Sequence, residues 1–191
     1  MSRMPTDVLA HLLQQPLVGV LATLRRDGRP YTVPIWWRYD GDTVPQSHHD
    51  PMPGAFWITG TTTRVWCRQL LHDPRASLCI ETSDPARHIE IDGRCVPLQL
   101  PHFDIWPQSR LLAEKYVGLG DPANDDAVDA FFANMRTEPR LLFRLDPEVW
   151  RAIDLTVYRG KRADRLFTQE HSSQGPSQSQ GRAPSASQGS A

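Results

Sequence analysis

Cysteine is scarce in this chain: there are three, Cys67, Cys79 and Cys95, with no Cys-x-x-Cys pair among them. That count fits a reducing cytoplasm better than a disulfide framework or a zinc ribbon. An excess of one charge is missing too. Lys and Arg number 21 against 22 Asp and Glu, a net charge of -1, so no global basic field exists to hold nucleic acid. No apolar run approaches the ~18–20 residues of a membrane span. The opening residues MSRMPTDVLAHLLQQPL lack a long apolar stretch and a clear cleavage site, so they do not read as a secretory signal. The expectation is a cytoplasmic protein without nucleic-acid or membrane partners. Large apolar residues vanish between Gln169 and Ala191, where Ser, Gln and Gly predominate. Such a segment cannot bury enough surface to offset the entropy of ordering, and residues 169–191 are predicted to be a disordered tail. Residues 1–168 remain, enough chain for one domain with a sizeable core.

Short apolar runs separated by turn residues dominate that domain. Asp7 to Gln15, with Leu9, Leu12 and Leu13 at helical spacing, predicts a helix capped by Thr6 and stopped by Pro16. Leu17 to Leu24 reads as a strand buried on both faces. Asp27-Gly28 predicts a hairpin turn with positive φ at both central positions, returning through Tyr31 to Tyr39. Pro34 inside that strand requires an edge or a bulge, because it has no N–H to give the ladder. Asp40 to Gly54 is a loop by composition. Ala55 to Thr59 is a third strand, Arg64 to His72 a helix capped by Thr62 or Thr63, and Ala76 to Glu81 and His88 to Leu98 are further strands. Helices follow at Gln108 to Val117 and Asp125 to Arg136. Strand character resumes in two pieces, Arg140 to Arg144 and Val149 to Thr156. Consecutive strands with one crossing helix and later helices predict an antiparallel barrel with helical covers.

Several residues invite a functional reading. The hydroxyl-rich bend from Thr59 to Arg64 could hold a phosphate, since a helix start offers free N–H groups and Arg64 adds a charge-assisted contact. It could equally be a plain helix cap. Trp36 and Trp37 alternate faces of a strand, which sends one into the core and the other to a groove. His48-His49-Asp50 resembles a metal cluster, but adjacent histidines diverge and no third ligand stands at zinc spacing, so no metal is predicted. Cys79 and Cys95 read as buried inert thiols. Cys67 lies near Arg64 and Arg68, which could favour its thiolate, although a structural role is the simpler reading. Arg136, Glu138 and Arg140 read as a solvated helix end.

Four segments in order carry a resemblance: LATLRRDGRPYTVPIWWRYDGD, FWITGTTTR, RQLLHDPRASLCIE and RHIEIDG. The chain resembles the pyridoxamine 5′-phosphate oxidase-like superfamily of FMN- and deazaflavin-binding split β-barrels. The resemblance implies a mostly β fold with helices, a six-stranded antiparallel split β-barrel with flanking helices, and a cofactor groove between the subunits of a homodimer. It places Pro34, Ile35 and Trp36 along the cofactor ring, Thr59, Thr61, Thr62, Arg64 and Arg68 on its phosphate, and His88 at the ring's polar edge. Counting back from Asp73-Pro74 puts Trp66 where the family has a Lys, with Arg68 as the substitute cation. No match exists to the oxidase branch's substrate-binding basic residues near the C-terminus. The implied function is an FMN- or deazaflavin-dependent oxidoreductase transferring hydride to or from a small organic substrate. The alternative is a non-catalytic flavin- or haem-binding protein, with His48, His49, His88 or His102 as haem ligand.

Overall fold

The computed structural model describes residues 4–47 and 49–158. The predicted tail, residues 169–191, and His48 lie outside the described residues. The chain divides into residues 1–156 and 157–191, and everything below concerns the first unit.

Its elements, in order, are α1 (Thr6–Gln14), β1 (Gly19–Leu24), β2 (Pro30–Ile35), β3 (Arg38–Tyr39), β4 (Phe56–Thr61), α2 (Val65–His72), β5 (Arg75–Glu81), β6 (Arg87–Leu98), α3 (Trp106–Ala113), α4 (Asp125–Met135) and β7 (Arg140–Asp154). Strand pairing is antiparallel throughout, in one sheet of order β2-β1-β5-β6-β7-β4-β3. The fold is therefore mostly β with flanking helices, a curled half-barrel, with seven strands where six were expected. The expected Tyr31–Tyr39 strand breaks at Trp36-Trp37, and its two parts join opposite edges of the sheet. Pro34 thus lies on an edge strand, where its missing N–H costs no ladder bond.

Alternation builds the core. Leu21, Leu78, Ile80, Ile89, Ile91, Phe143 and Leu145 face inward, all buried, and Leu9 and Leu13 of α1 join them. The expected Leu17–Leu24 strand is not buried on both faces: β1 starts at Gly19, Val20 in it is 38% exposed, and Val18 before it 49%. The two late strands are one, β7, which pairs along the whole of β6. Asp146-Pro147 interrupts its apolar pattern, and a register shift opposite Asp92-Gly93 absorbs the break.

Two turns differ from expectation in detail. In the β1–β2 hairpin only Gly28 takes positive φ, +80°. Its N–H bonds the Arg25 carbonyl, and Arg25 N–H bonds the Arg29 carbonyl, so the loop is longer than a two-residue turn. Thr6 does not cap α1, because Pro5 holds the N-cap position, and Arg64 rather than a threonine precedes α2, in both cases without a side-chain capping bond.

α3 runs into a π-helical turn, Glu114–Gly118. This turn ties the helices to the Trp36-Trp37 corner. The Tyr116 hydroxyl accepts from Trp37 N–H at 3.1 Å and lies 2.7 Å from the Leu17 carbonyl and 3.0 Å from that of Trp37. No helix among the described residues is long and apolar enough to cross a membrane.

Candidate cofactor-binding site

A sheet curled without closing leaves two free edges. β2 pairs only with β1. β3 covers β4 only at Phe56 and Trp57, so the remainder of β4 has β7 on one side and no strand on the other. A cavity of about 460 Å³ lies between these edges, lined by Val33, Pro34, Ile35 and Trp36 on one side and Thr59, Gly60 and Thr61 on the other. That volume is in the range of small-molecule and cofactor sites. Leu112 and Ala113 of α3, Phe131 and Met135 of α4, and Trp66 complete its apolar walls.

The corner separates the two tryptophans. Trp37 is fully buried, while Trp36 is 38% exposed. Trp36 stacks on Tyr116 with ring centroids 4.8 Å apart and planes within 1°. Gly60 is required where it stands, because a Cβ there would meet Trp66 Cζ2 at 2.4 Å and Cys67 Sγ at 2.8 Å. Trp66 is accordingly packed under β4 and against Phe143, filling space rather than projecting a charge.

Polar character comes from the bend and from the start of β7. Thr61 pairs with Arg140 across the β4–β7 ladder, and Thr62 N–H bonds the Pro139 carbonyl at 3.1 Å. Thr59 Oγ1 donates to the Leu141 carbonyl, and the Thr61 and Thr63 hydroxyls bond each other at 3.0 Å. Arg64 and Arg140 both line the cavity with Glu138. Arg140 is largely enclosed, its side chain 13% exposed, with Glu138 Oε2 3.7 Å from Nη2. Burial pushes Arg140 below its ordinary guanidinium value, and Glu138 opposes the shift. Burial also drives the Cys67 thiol up to about 12, outweighing Arg64 and Arg140, which favour its thiolate. Cys67 is therefore a neutral packing residue. Cys95 behaves alike, raised to about 12 chiefly by burial, and Cys79, only partly buried, is also raised.

Of the residues singled out from sequence, Pro34, Ile35, Trp36, Thr59, Thr61 and Arg64 are brought together around this cavity. Thr62 is exposed and does not line it. Arg68 lines a separate groove with Arg25, Arg26, Arg29 and His72. His88 lies on β6 in a third groove beside Cys79 and Glu81, its Nε2 3.5 Å from Glu90. Among the described residues no three His, Cys, Asp or Glu side chains converge on a metal position. Arg140 and Glu138 are the site residues that sequence reading missed. The solvated-end reading holds for Arg136, exposed against the Trp106 ring at 5.3 Å, and fails for Arg140. The threonine bend was the available signal, since whatever strand pairs with β4 must pass it.

A curled antiparallel sheet with a ligand-sized gap between its free edges, roofed by helices, is a split β-barrel. The family model described as Pyridoxamine 5′-phosphate oxidase matches residues 5–154, and the chain belongs to that family. Solved structures of similar fold include a conserved hypothetical protein of Mycobacterium tuberculosis (20% identity, 81% of this chain and 90% of that one, TM-score 0.57). An F420 reductase is 24% identical over 73% of this chain and 93% of its own, with a TM-score of 0.50. The haem storage protein HutZ of Vibrio cholerae is 16% identical over 77% of this chain and 92% of its own, with a TM-score of 0.52.

Proposed function

We propose that this protein is an FMN- or deazaflavin-dependent oxidoreductase acting on a small organic substrate. The observation that carries the reading is a cofactor-sized cavity between two unpaired strand edges, with Arg64 and Arg140 beside a threonine bend and Trp36 in its wall. A phosphate would be held by Arg64, Arg140, Thr61 and the uncapped first-turn N–H groups of α2. Arg68 would contribute from its neighbouring groove to any part of the ligand extending past Arg64. The planar ring would lie against Pro34, Ile35 and Trp36, where edge-strand N–H and C=O groups are available to its polar rim. A bound flavin or deazaflavin supplies the hydride chemistry, while the chain's residues bind, orient and exclude water. That the fold is shared with a protein named F420 reductase agrees with this reading.

A homodimer is part of the same proposal. Pro34, Val20, Cys79 and Glu90 are successive register partners and so share the sheet's outer face. Exposed Val18 and Val20 adjoin the cavity wall on that face. A second copy seated there would cover them, narrow the cavity and bring His88 within reach of a ring held by the partner. A reducing, cytoplasmic setting fits the three free thiols.

Among the described residues no histidine lines the cavity, and His48 lies outside them. The absorbance spectrum of the purified protein, alone and after titration with each cofactor, tests the proposal. Flavin or deazaflavin bands retained through desalting are the expected result. A single intense Soret band, or no retained cofactor, contradicts it.

A further inference from the structure

The cavity holds a carboxylate as well as two guanidinium groups. Glu138 sits between Thr137 and Pro139, and the Pro139 carbonyl is anchored by Thr62 N–H at 3.1 Å. The segment bearing Glu138 is thus tied to the threonine bend. The Glu138 side chain is 58% exposed, with Oε2 3.7 Å from Arg140 Nη2. Arg140 is also held from behind, Nε donating to the Met135 carbonyl at 3.3 Å. Arg64 is exposed and makes no side-chain hydrogen bond or ion pair among the described residues. The Cys67 thiol is the next titratable group beside these cations, and burial keeps it neutral. Among the described residues no Asp, His or Lys lines the cavity. Among the described lining residues, two cations and one anion give a formal charge of +1.

We infer that Glu138 is a specificity determinant of this site, biasing it toward a singly charged phosphodiester and against a doubly charged phosphomonoester. The inference rests on the reading that a cofactor phosphate lies at Arg64 and Arg140. A phosphomonoester such as FMN carries about -1.5 to -2 at pH 7, with a second pKa near 6. A phosphate esterified on both sides, as in the deazaflavin cofactor, carries one negative charge. A net +1 site compensates one charge. A second has no further cation among the described lining residues and is repelled by the Glu138 carboxylate. At the phosphate, Glu138 therefore favours a diester such as the deazaflavin's over the monoester of FMN.

The test separates charge from ring identity. Wild type and Glu138→Gln are titrated with FMN, with the methyl ester of FMN, which keeps the ring and loses one charge, and with the diester deazaflavin. Wild type is expected to bind both diesters more tightly than FMN. Glu138→Gln, whose exposed position leaves folding intact, moves the FMN to methyl-ester affinity ratio about tenfold toward FMN, the effect of one charge at partly screened contact range. Glu138→Asp retains the wild-type preference. Below about pH 6, where FMN becomes a monoanion, the difference between wild type and Glu138→Gln closes. An FMN to methyl-ester ratio identical in wild type and Glu138→Gln overturns the inference while leaving the cofactor site standing. Failure of wild type to bind any of the three overturns the cofactor reading and the inference together.

Discussion

Arg64 and Arg68 differ in backbone before they differ in surroundings. Sequence spacing puts residues four apart on one helical face, which made Arg68 the natural second cation. Arg64, however, precedes the helix with extended backbone, φ -64° and ψ 139°, so the spacing rule does not reach it. The two side chains line different grooves, and the second guanidinium in the cavity is Arg140, brought by strand pairing. Substitution should separate the two positions. Arg64→Ala weakens cofactor binding by about 1.5–3 kcal/mol, the worth of a hydrogen bond to a charged group, and Arg68→Ala by less. Equal losses in a binding titration would place the phosphate between the two grooves instead. Gly60 is decided by space alone. Gly60→Ala drives a Cβ into the Trp66 ring and Cys67, and thermal unfolding should show a loss of about 1–3 kcal/mol. An unchanged melting temperature would mean that α2 yields freely.

Lys115 gives the residue scale a pH signature. Its Nζ donates to the Leu13 carbonyl at 3.1 Å and lies 3.6 Å from the centroid of the Trp37 ring. Burial, aided by the charge of Arg38, lowers its pKa from 10.5 to about 7. The unfolded chain therefore binds more protons than the folded one between about pH 7 and 10.5, and stability rises with pH across that window. Above pH 9 the raised thiols Cys67 and Cys95 act in the opposite sense, so the cleanest reading lies below it. Lys115→Met should be more stable than wild type near pH 7 and should flatten the rise in denaturant titrations. A slope unchanged by the substitution would show that Lys115 is solvated.

At the scale of elements, local pattern was enough wherever the signal was local. The hairpin at Gly28, the strands β4, β5 and β6 and the helices α2 and α4 all follow from alternation, periodicity and turn residues within a few positions. What escaped depended on partners distant in sequence. β7 looked like two strands because Asp146-Pro147 breaks its pattern. The break is tolerated only because Gly93 opposes it, where a Cβ would meet the Asp146 carbonyl oxygen at 2.1 Å. The Trp36-Trp37 corner likewise reads as continuous strand until the sheet order sends β2 and β3 to opposite edges. The π-turn of Glu114–Gly118 has no sequence signature, yet it places Lys115 against Trp37 and Tyr116 against Trp36. Tyr116→Phe keeps the stack and leaves the Trp37 N–H and the carbonyl that receives the hydroxyl without a partner. The expected cost is about 1–3 kcal/mol by chemical denaturation, together with altered Trp36 fluorescence. A neutral substitution would mean that water replaces the hydroxyl.

For the whole molecule, the proposed function rests on a sheet that curls and does not close. Six of the nine residues predicted to touch a cofactor meet at the resulting seam because β2 and β4, although separated by a long loop, supply its two free edges. His88 and Arg68 stand outside one chain's cavity, and in the proposed homodimer the exposed Val18 and Val20 lie on the face a second copy covers. The most direct measurement is a fluorescence titration of FMN and of the deazaflavin into wild type and into an Arg64→Ala, Arg140→Met double variant, methionine preserving the packing of the buried stem. The account predicts saturation at one cofactor per chain in wild type and a loss of about a hundredfold or more in the folded double variant. A folded wild type that takes up neither cofactor, or a double variant that binds as tightly as wild type, would contradict it.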